Sequence, residues 1–219
     1  MNPLVRESLK TFEHLTDSSN ERNIYTHPNP LARDIFWQRL ELLLCGMKNH
    51  MPRPRRILDF GGGSGGFLKG LALSFPDAMI DVIDLEPGDA EKVRAHHQLT
   101  NVRIFSGNIE TWHPEHQYDT VVATDVFEHF SDLNIPVAAL NRFMTPGAHL
   151  CLSVPTENFL YLTGRIILRK TKPLDHYHAG ETILQHLNFH RFATIWKAYA
   201  PQYSIFHLPL FRLAILKRN

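Results

Sequence analysis

The stretch RRILDFGGGSGGFLKGLA, residues 55–72, places five glycines in the six positions 61–66. Glycine loses more conformational freedom on folding than any other residue, so such a run implies that bare backbone is needed there. The apolar run before it, RRILDF (55–60), reads as a buried strand, and GFLKGLALSF (66–75) reads as a helix opening at the glycines. The glycines satisfy two spacings at once. Gly61, Gly63 and Gly66 form G-x-G-x-x-G, which suggests a dinucleotide. Asp59, Gly61, Gly63 and Gly65 form D-x-G-x-G-x-G, which suggests an adenosyl amino acid. The turn alone fits both.

Outward from the turn, short apolar runs alternate with helical stretches. AMIDVIDL (78–85), NVRIFSG (101–107), YDTVVAT (118–124) and HLCLSVP (149–155) read as strands. Helices are expected around GDAEKVRAHH (88–97) and 132–143, and over residues 30–50 with Pro30 near the start. This spacing predicts βαβ units and a parallel sheet covered on both faces. The end of the chain breaks the rhythm. YSIFHLP (203–209) and LFRLAILKR (210–218) are strand-like and joined by almost nothing, which is too short for a parallel crossover. The expectation is therefore an α/β, Rossmann-like, doubly wound and mostly parallel seven-stranded sheet ending in an antiparallel C-terminal hairpin. FATIWKAYA (192–200) reads as a helix, and NFLYLTGRIILRK (158–170) as an insertion over a binding site.

The 219 residues suit one domain: an N-terminal helical cap (1–54), a ligand-binding core (55–155), substrate-side insertion and helices (156–202) and the terminal hairpin (203–219). Twenty-three Lys+Arg against 22 Asp+Glu give no basic excess, which argues against a grip on long nucleic acid. Cys45 and Cys151 lie in apolar surroundings far apart, as buried thiols of a reducing compartment do. With no apolar signal-peptide core and no stretch of about 20 apolar residues, a cytoplasmic location is expected.

Two acidic positions refine the ligand. A pyrophosphate on the turn has no evident use for Asp59, just upstream of the glycines, whereas a ligand carrying an ammonium group does. Asp84 ends the second strand, 18 residues beyond Gly66, and suits a carboxylate accepting hydrogen bonds from ribose hydroxyls; Glu86 competes for that role. Taken together, ILDFGGGSGG (57–66), DVIDLEP (81–87), GNIE (107–110), YDTVVATDVFEHF (118–130) and MTPGAHLCLSVP (144–155) resemble the class I S-adenosylmethionine-dependent methyltransferases. The likeness is greatest to the broad branch containing the ubiquinone- and menaquinone-biosynthesis enzymes.

That resemblance implies S-adenosyl-L-methionine as cofactor and S-adenosyl-L-homocysteine as its product. It implies Asp59, Gly61 and Gly63 at the methionine end, Asp84 on the ribose, Leu85 and Ile109 on the two adenine faces, and Asn108 at the adenine amino group. Asn108 stands where the family commonly has Asp, and its side-chain oxygen can still accept that bond. Thr124 and Asp125 would face the sulfonium, and Tyr25 and His27 would reach over the cofactor.

Methyl transfer from a sulfonium is an in-line displacement, so the protein mainly positions the acceptor and removes its proton where one must leave. If a helix begins at 125–129, Asp125, Glu128 and His129 fall on one face. His129 and His176 are the candidate bases, with Asp125 beside them; the plainer reading is that Glu128 and His129 only brace the fold. Asp125, Glu128 and His129 followed by Asp175-His176 also resemble the magnesium site of small-RNA 2′-O-methyltransferases, where Asp125, Glu128, His129 and His176 would be the ligands. A small-molecule acceptor, hydrophobic or lipid-linked, is the leading expectation, with O-methylation favoured. Arg165, Arg169 and Lys170 would then allow peripheral membrane contact. A metal-assisted RNA methyltransferase, a non-catalytic scaffold that binds the cofactor and an NAD-dependent oxidoreductase are the rivals.

Overall fold

The computed structural model describes residues 10–12, 25–157, 176–202 and 209–219. The first long helix, α1 (Pro30–His50), starts where the side chain of Asn29 accepts hydrogen bonds from the amides of Leu31 and Ala32, with Pro30 preset for the first turn. Then follow β1 (Arg56–Phe60), α2 (Leu68–Ser74), β2 (Met79–Asp84), α3 (Gly88–His96), β3 (Val102–Ser106) and β4 (Tyr118–Thr124). A single 3-10 turn (Phe127–His129) leads to α4 (Asn134–Phe143) and β5 (Met144–Pro155), and α5 (Gly180–Phe189) precedes β6 (Phe192–Ala200) and β7 (Phe211–Arg218).

The seven strands form one sheet in the order β3-β2-β1-β4-β5-β7-β6. The five strands from β3 to β5 run parallel, and β7 is antiparallel to both β5 and β6. The α/β sheet with an antiparallel end is the one expected. Alternate residues feed opposite faces: Ile57 packs with Trp37, Leu43, Leu71 and Ile80 on one side, while Leu58 packs with Val121, Leu140 and Leu184 on the other. Because β1 connects to β2 on one side and lies against β4 on the other, the chain order reverses at the β1–β4 junction. Their carboxyl ends therefore flank a crevice, the usual ligand position in open α/β sheets.

Three expectations are corrected. Residues 192–200 form β6 and not a helix: Phe192, Ala193, Thr194, Ile195, Trp196, Lys197, Ala198, Tyr199 and Ala200 alternate between inward and outward positions. That period of two, on β-branched and aromatic residues, is the signature of a strand. The hairpin partner of β7 is thus β6, and most of the YSIFHLP run (203–208) lies outside the described residues. No helix begins at residue 125; Asp125 adopts a left-handed φ of +57° and only one 3-10 turn follows. The helix α5 has no counterpart among the expected elements. The insertion at 158–170, with Arg165, Arg169 and Lys170, also lies outside the described residues, as does Asp175. Among the described residues no helix is long and apolar enough to cross a membrane.

Candidate active site

The glycine turn needs its glycines. Gly61, Gly63 and Gly65 all have positive φ, at +70°, +49° and +77°. A Cβ on Gly61 would lie 2.5 Å from Val126 Cγ2, and one on Gly65 would lie 2.9 Å from Ala90 Cα. The turn is therefore pressed between the end of β4 and the start of α3. Its far side is tied to β2: the amide of Gly63 donates to Asp84 Oδ2 at 2.8 Å, and the amide of Glu86 donates to Asp84 Oδ1 at 2.9 Å. Each carboxylate oxygen keeps a second lone pair, so Asp84 can still accept from a ligand's hydroxyls. Glu86 is exposed and holds no comparable position.

Asp59 lies below this turn at the end of β1 and is 1% exposed. Neither of its carboxylate oxygens has a hydrogen-bond partner. Burial, and secondarily the charge of Asp84, push its carboxyl up to about 7. A buried acid with no partner is costly unless something arrives to pair with it. A cationic ligand fits this position, and a second anion does not. The turn, the orphaned Asp59 and the anchored Asp84 thus match a ligand with an ammonium group at one end and a ribose at the other, as S-adenosylmethionine has.

The remaining cofactor candidates differ in where they are placed. Leu85, after β2, is 68% exposed and available to cover a flat ring. Asn108, after β3, is exposed, but its side-chain oxygen already accepts from the amide of Glu110 at 2.9 Å. Ile109 is turned into the core, packed in the cluster with Phe60 and Ile83. Thr124 ends β4 opposite Ser153. His27 accepts from the amide of Asn29, so its ring supports the start of α1.

Asp125, Glu128, His129 and His176 come together, but with different roles. Asp125 pairs with Arg39, a fully buried cation from α1 whose guanidinium also donates to Ser153 Oγ at 3.2 Å and to Tyr25 Oη at 2.6 Å. Burial alone would lower the pKa of Arg39; Asp125 and Tyr25 more than offset that, and it stays charged. Asp125 is therefore committed to holding the loop. Glu128 is fully buried with both carboxylate oxygens unpaired. Burial first, and the charge of Asp125 second, push its carboxyl well above the ordinary range, with Arg39 opposing in part. His129 is exposed, and its ring meets that of His176 edge to face with centroids 4.8 Å apart. Behind His176, Nδ1 lies 2.7 Å from Glu157 Oε1. The amide of Tyr177 donates to the carbonyl of Glu128 at 2.8 Å, which fastens the segment after residue 175 to the 3-10 turn.

Arg39 and Glu157 are not among the residues that sequence reasoning singles out. For Arg39 a signal exists, since it interrupts the apolar stripe of Trp37, Leu40, Leu43 and Met47 along α1. For Glu157 there is none, because its partner lies 19 residues away across a segment without a readable pattern.

Comparison with known proteins agrees with this geometry. A family model described as a methyltransferase domain matches residues 36–199. The malonyl-[acyl-carrier protein] O-methyltransferase of Halalkalibacterium halodurans is 31% identical over 142 residues, covering 62% of this chain and 52% of that one. The chain thus spans about half the length of the curated relative it matches. Among solved structures, the N-methyltransferase NodS from Bradyrhizobium japonicum in complex with S-adenosyl-L-homocysteine superposes with a TM-score of 0.66 at 18% identity over 98% of each chain. Magnesium protoporphyrin IX methyltransferase from Synechocystis with bound S-adenosyl-L-homocysteine gives 0.66 at 16% identity, over 97% of this chain and 95% of that one. At such identities these likenesses speak to the fold. The family match covers most of the chain, and with it the glycine turn, Asp59 and Asp84: the chain belongs to the class I S-adenosylmethionine-dependent methyltransferases.

Proposed function

We propose that the protein transfers a methyl group from S-adenosylmethionine to an oxygen of a small acceptor, and that an acyl group held on a carrier protein is the first acceptor to test. The observation that carries the methyl-donor half is Asp59, a buried carboxylate with no partner under the glycine turn. When bound there, S-adenosylmethionine supplies an electrophilic methyl on a sulfonium. Asp59 would meet the ammonium end, Gly61 and Gly63 would let the ligand touch the turn, Asp84 would accept from the ribose, and Leu85 would cover the adenine. Thr124 and Asp125 stand at the end of β4, where the methyl is delivered, with Asp125 held in place by Arg39.

The acceptor half rests on the names of relatives and on the groups that face the crevice. Malonyl-[acyl-carrier protein] O-methyltransferase is the name carried by several relatives at 26–31% identity. A carboxylate acceptor is ionised at neutral pH and needs no base, only placement. For a hydroxyl acceptor, His176 is the residue to take the proton, because Glu157 fixes the orientation of its ring. His129 would then help position the acceptor. The family match and the curated relatives reported above favour this reading over RNA methylation, a scaffold or NAD chemistry.

The test is incubation with methyl-labelled S-adenosylmethionine and, separately, malonyl-carrier protein, a free malonyl thioester and an unmodified carrier. Label on an oxygen of the malonyl group, and none on the unmodified carrier, is the expected result. Tight cofactor binding with no label on these acceptors or on any component of a metabolite extract would transfer the case to the scaffold reading.

A further inference from the structure

The end of α5 that leads into β6 carries two histidines four residues apart, His186 and His190. That spacing puts both imidazoles on one face, one turn from each other. Their rings are in contact, with centres 4.5 Å apart and planes inclined by 45°. The backbone beneath them is pinned. Ile183, Leu184 and Leu187 are buried and fix the rotation of the helix, and the amide of His190 donates to the carbonyl of His186 at 3.1 Å. Asn188 Nδ2 donates to the carbonyl of Leu184 at 2.8 Å, and its Oδ1 accepts from Thr194 Oγ1 of β6 at 3.1 Å. Phe189, although 84% exposed, sets its ring edge to face with that of His190, centres 5.3 Å apart.

Histidines in a last turn often serve as cations that complement the negative end of the helix dipole. His186 does not fit that role. Burial first, and the neighbouring His190 second, hold its proton affinity below the ordinary imidazole value; His178 adds to this, and only Asp132 opposes. His186 is thus neutral near pH 7, the form that offers a lone pair to a metal. Its Nε2 is shielded from solvent and has no hydrogen-bond partner among the described residues. A shielded ring nitrogen left unpaired beside a second imidazole calls for a ligand of its own. Asp132, in the loop before α4, brings negative charge to bear on the same ring, which favours a cation other than the proton.

We infer that His186 and His190 chelate one late first-row divalent ion, copper, nickel or zinc, at the end of α5, with water completing its shell. Imidazole suits these ions, whereas magnesium and calcium prefer oxygen ligands. Two histidines at this spacing on one helix face are a proven pair of metal ligands. The place is distinct from the crevice. α5 starts beside Val154 and Pro155, at the carboxyl end of β5, and ends where Phe192 pairs with Arg218 at the opposite end of the sheet. The inference therefore does not depend on the methyl-transfer reading. An ion bridging the last turn of α5 binds only the folded helix, so it stabilises the corner from which the edge strand β6 departs.

The probe is nickel(II), titrated calorimetrically into the full chain, with the urea midpoint of unfolding measured on the same samples. A saturable site is expected that His186→Gln and His190→Gln each weaken about 100-fold, because either change turns a chelate into a single ligand. Nickel should raise the urea midpoint of the wild type and leave that of both variants unmoved, while magnesium at the same concentration raises none of them. Equal midpoints of wild type and variants in the presence of a chelator show that the variants fold. Absence of saturable nickel binding overturns the proposal. So does binding that both α5 variants retain in full, including binding that is instead lost in His176→Gln, which would put the ion in the crevice.

Discussion

Replacing Asp59 by Asn is expected to abolish binding of S-adenosylmethionine and, at the same time, to stabilise the unliganded protein. The two effects have one cause. Asp59 is buried without a partner, so its ionised form is disfavoured in the fold and its carboxyl titrates at about 7, against 3.8 as the ordinary value. An acid whose pKa is raised by folding stabilises the fold most when protonated. Its contribution is fully present below the unfolded value, falls as pH rises from about 4 to 7, and is lost above that. The Asn variant carries no such loss. Its advantage should be near zero at pH 4, grow through the range to pH 7, and reach on the order of 2–4 kcal/mol at pH 8, since a tenfold change in proton affinity is worth about 1.4 kcal/mol. Denaturant unfolding at pH 4.5 and pH 8 measures this. Binding moves the other way: a cationic ligand favours ionised Asp59, so affinity in the wild type should climb as pH rises toward 7 and complex formation should release protons. An Asn variant that binds normally, or that is less stable at pH 8, would show that Asp59 is only a structural carboxyl.

Arg39→Met is expected to have the opposite signature on stability. The guanidinium is 1% exposed and holds three acceptors on separate elements: Asp125 after β4, Ser153 on β5 and Tyr25 ahead of α1. It is also stacked against Phe36 and Phe211, 5.0 and 4.6 Å from their ring centres. Met fills much of the same volume but leaves Asp125 without its counter-charge beside the buried Glu128. Removing one partner of a buried pair typically costs about 3–5 kcal/mol; because the Asp125 side chain is 30% exposed, about 2–3 kcal/mol is the expected loss here. Asp125 also holds a left-handed backbone that non-glycine residues adopt reluctantly, and Arg39 is part of what holds it there. Methyl transfer should therefore fall more than S-adenosylhomocysteine affinity does. Adding Asp125→Asn to Arg39→Met should recover part of the stability, with a coupling of about 1–3 kcal/mol in the double-mutant cycle. Additive losses would mean that the two residues act independently.

Asp59 and Arg39 also mark what is legible in the sequence and what is not. The turn at 61–66, Asp59 and Asp84 are legible because the pattern is local: strand, glycines, helix and strand end follow one another within 30 residues. The antiparallel direction of β7 is legible in the sequence, but its hairpin partner is not: the short join at 209–210 points to residues 203–209, whereas β7 pairs with β6 across residues 201–210. β6 reads as a helix because its large apolar residues Phe192, Ile195, Trp196 and Tyr199 stand at i, i+3, i+4 and i+7, the helix spacing, and only pairing with β7 overrides it. The Arg39–Asp125 pair joins residues 86 positions apart, and the Glu157–His176 pair joins two loop ends. Neither has a spacing to read, since tertiary packing alone brings them together. The cluster of Glu128, His129 and His176 lies between the extremes. Its members stand out by residue type, but which carboxylate is available and which is neutralised depends on where α1 puts an arginine.

Methyl transfer in this crevice depends first on the ligand of the glycine turn, and calorimetric titration tests that directly. S-adenosylhomocysteine should bind the purified wild-type chain at one per chain near pH 7.5, and NAD, run in parallel, should show no saturable heat. Saturable binding of NAD with none of S-adenosylhomocysteine would contradict the assignment of Asp59 and Asp84 and the methyl-transfer function built on it.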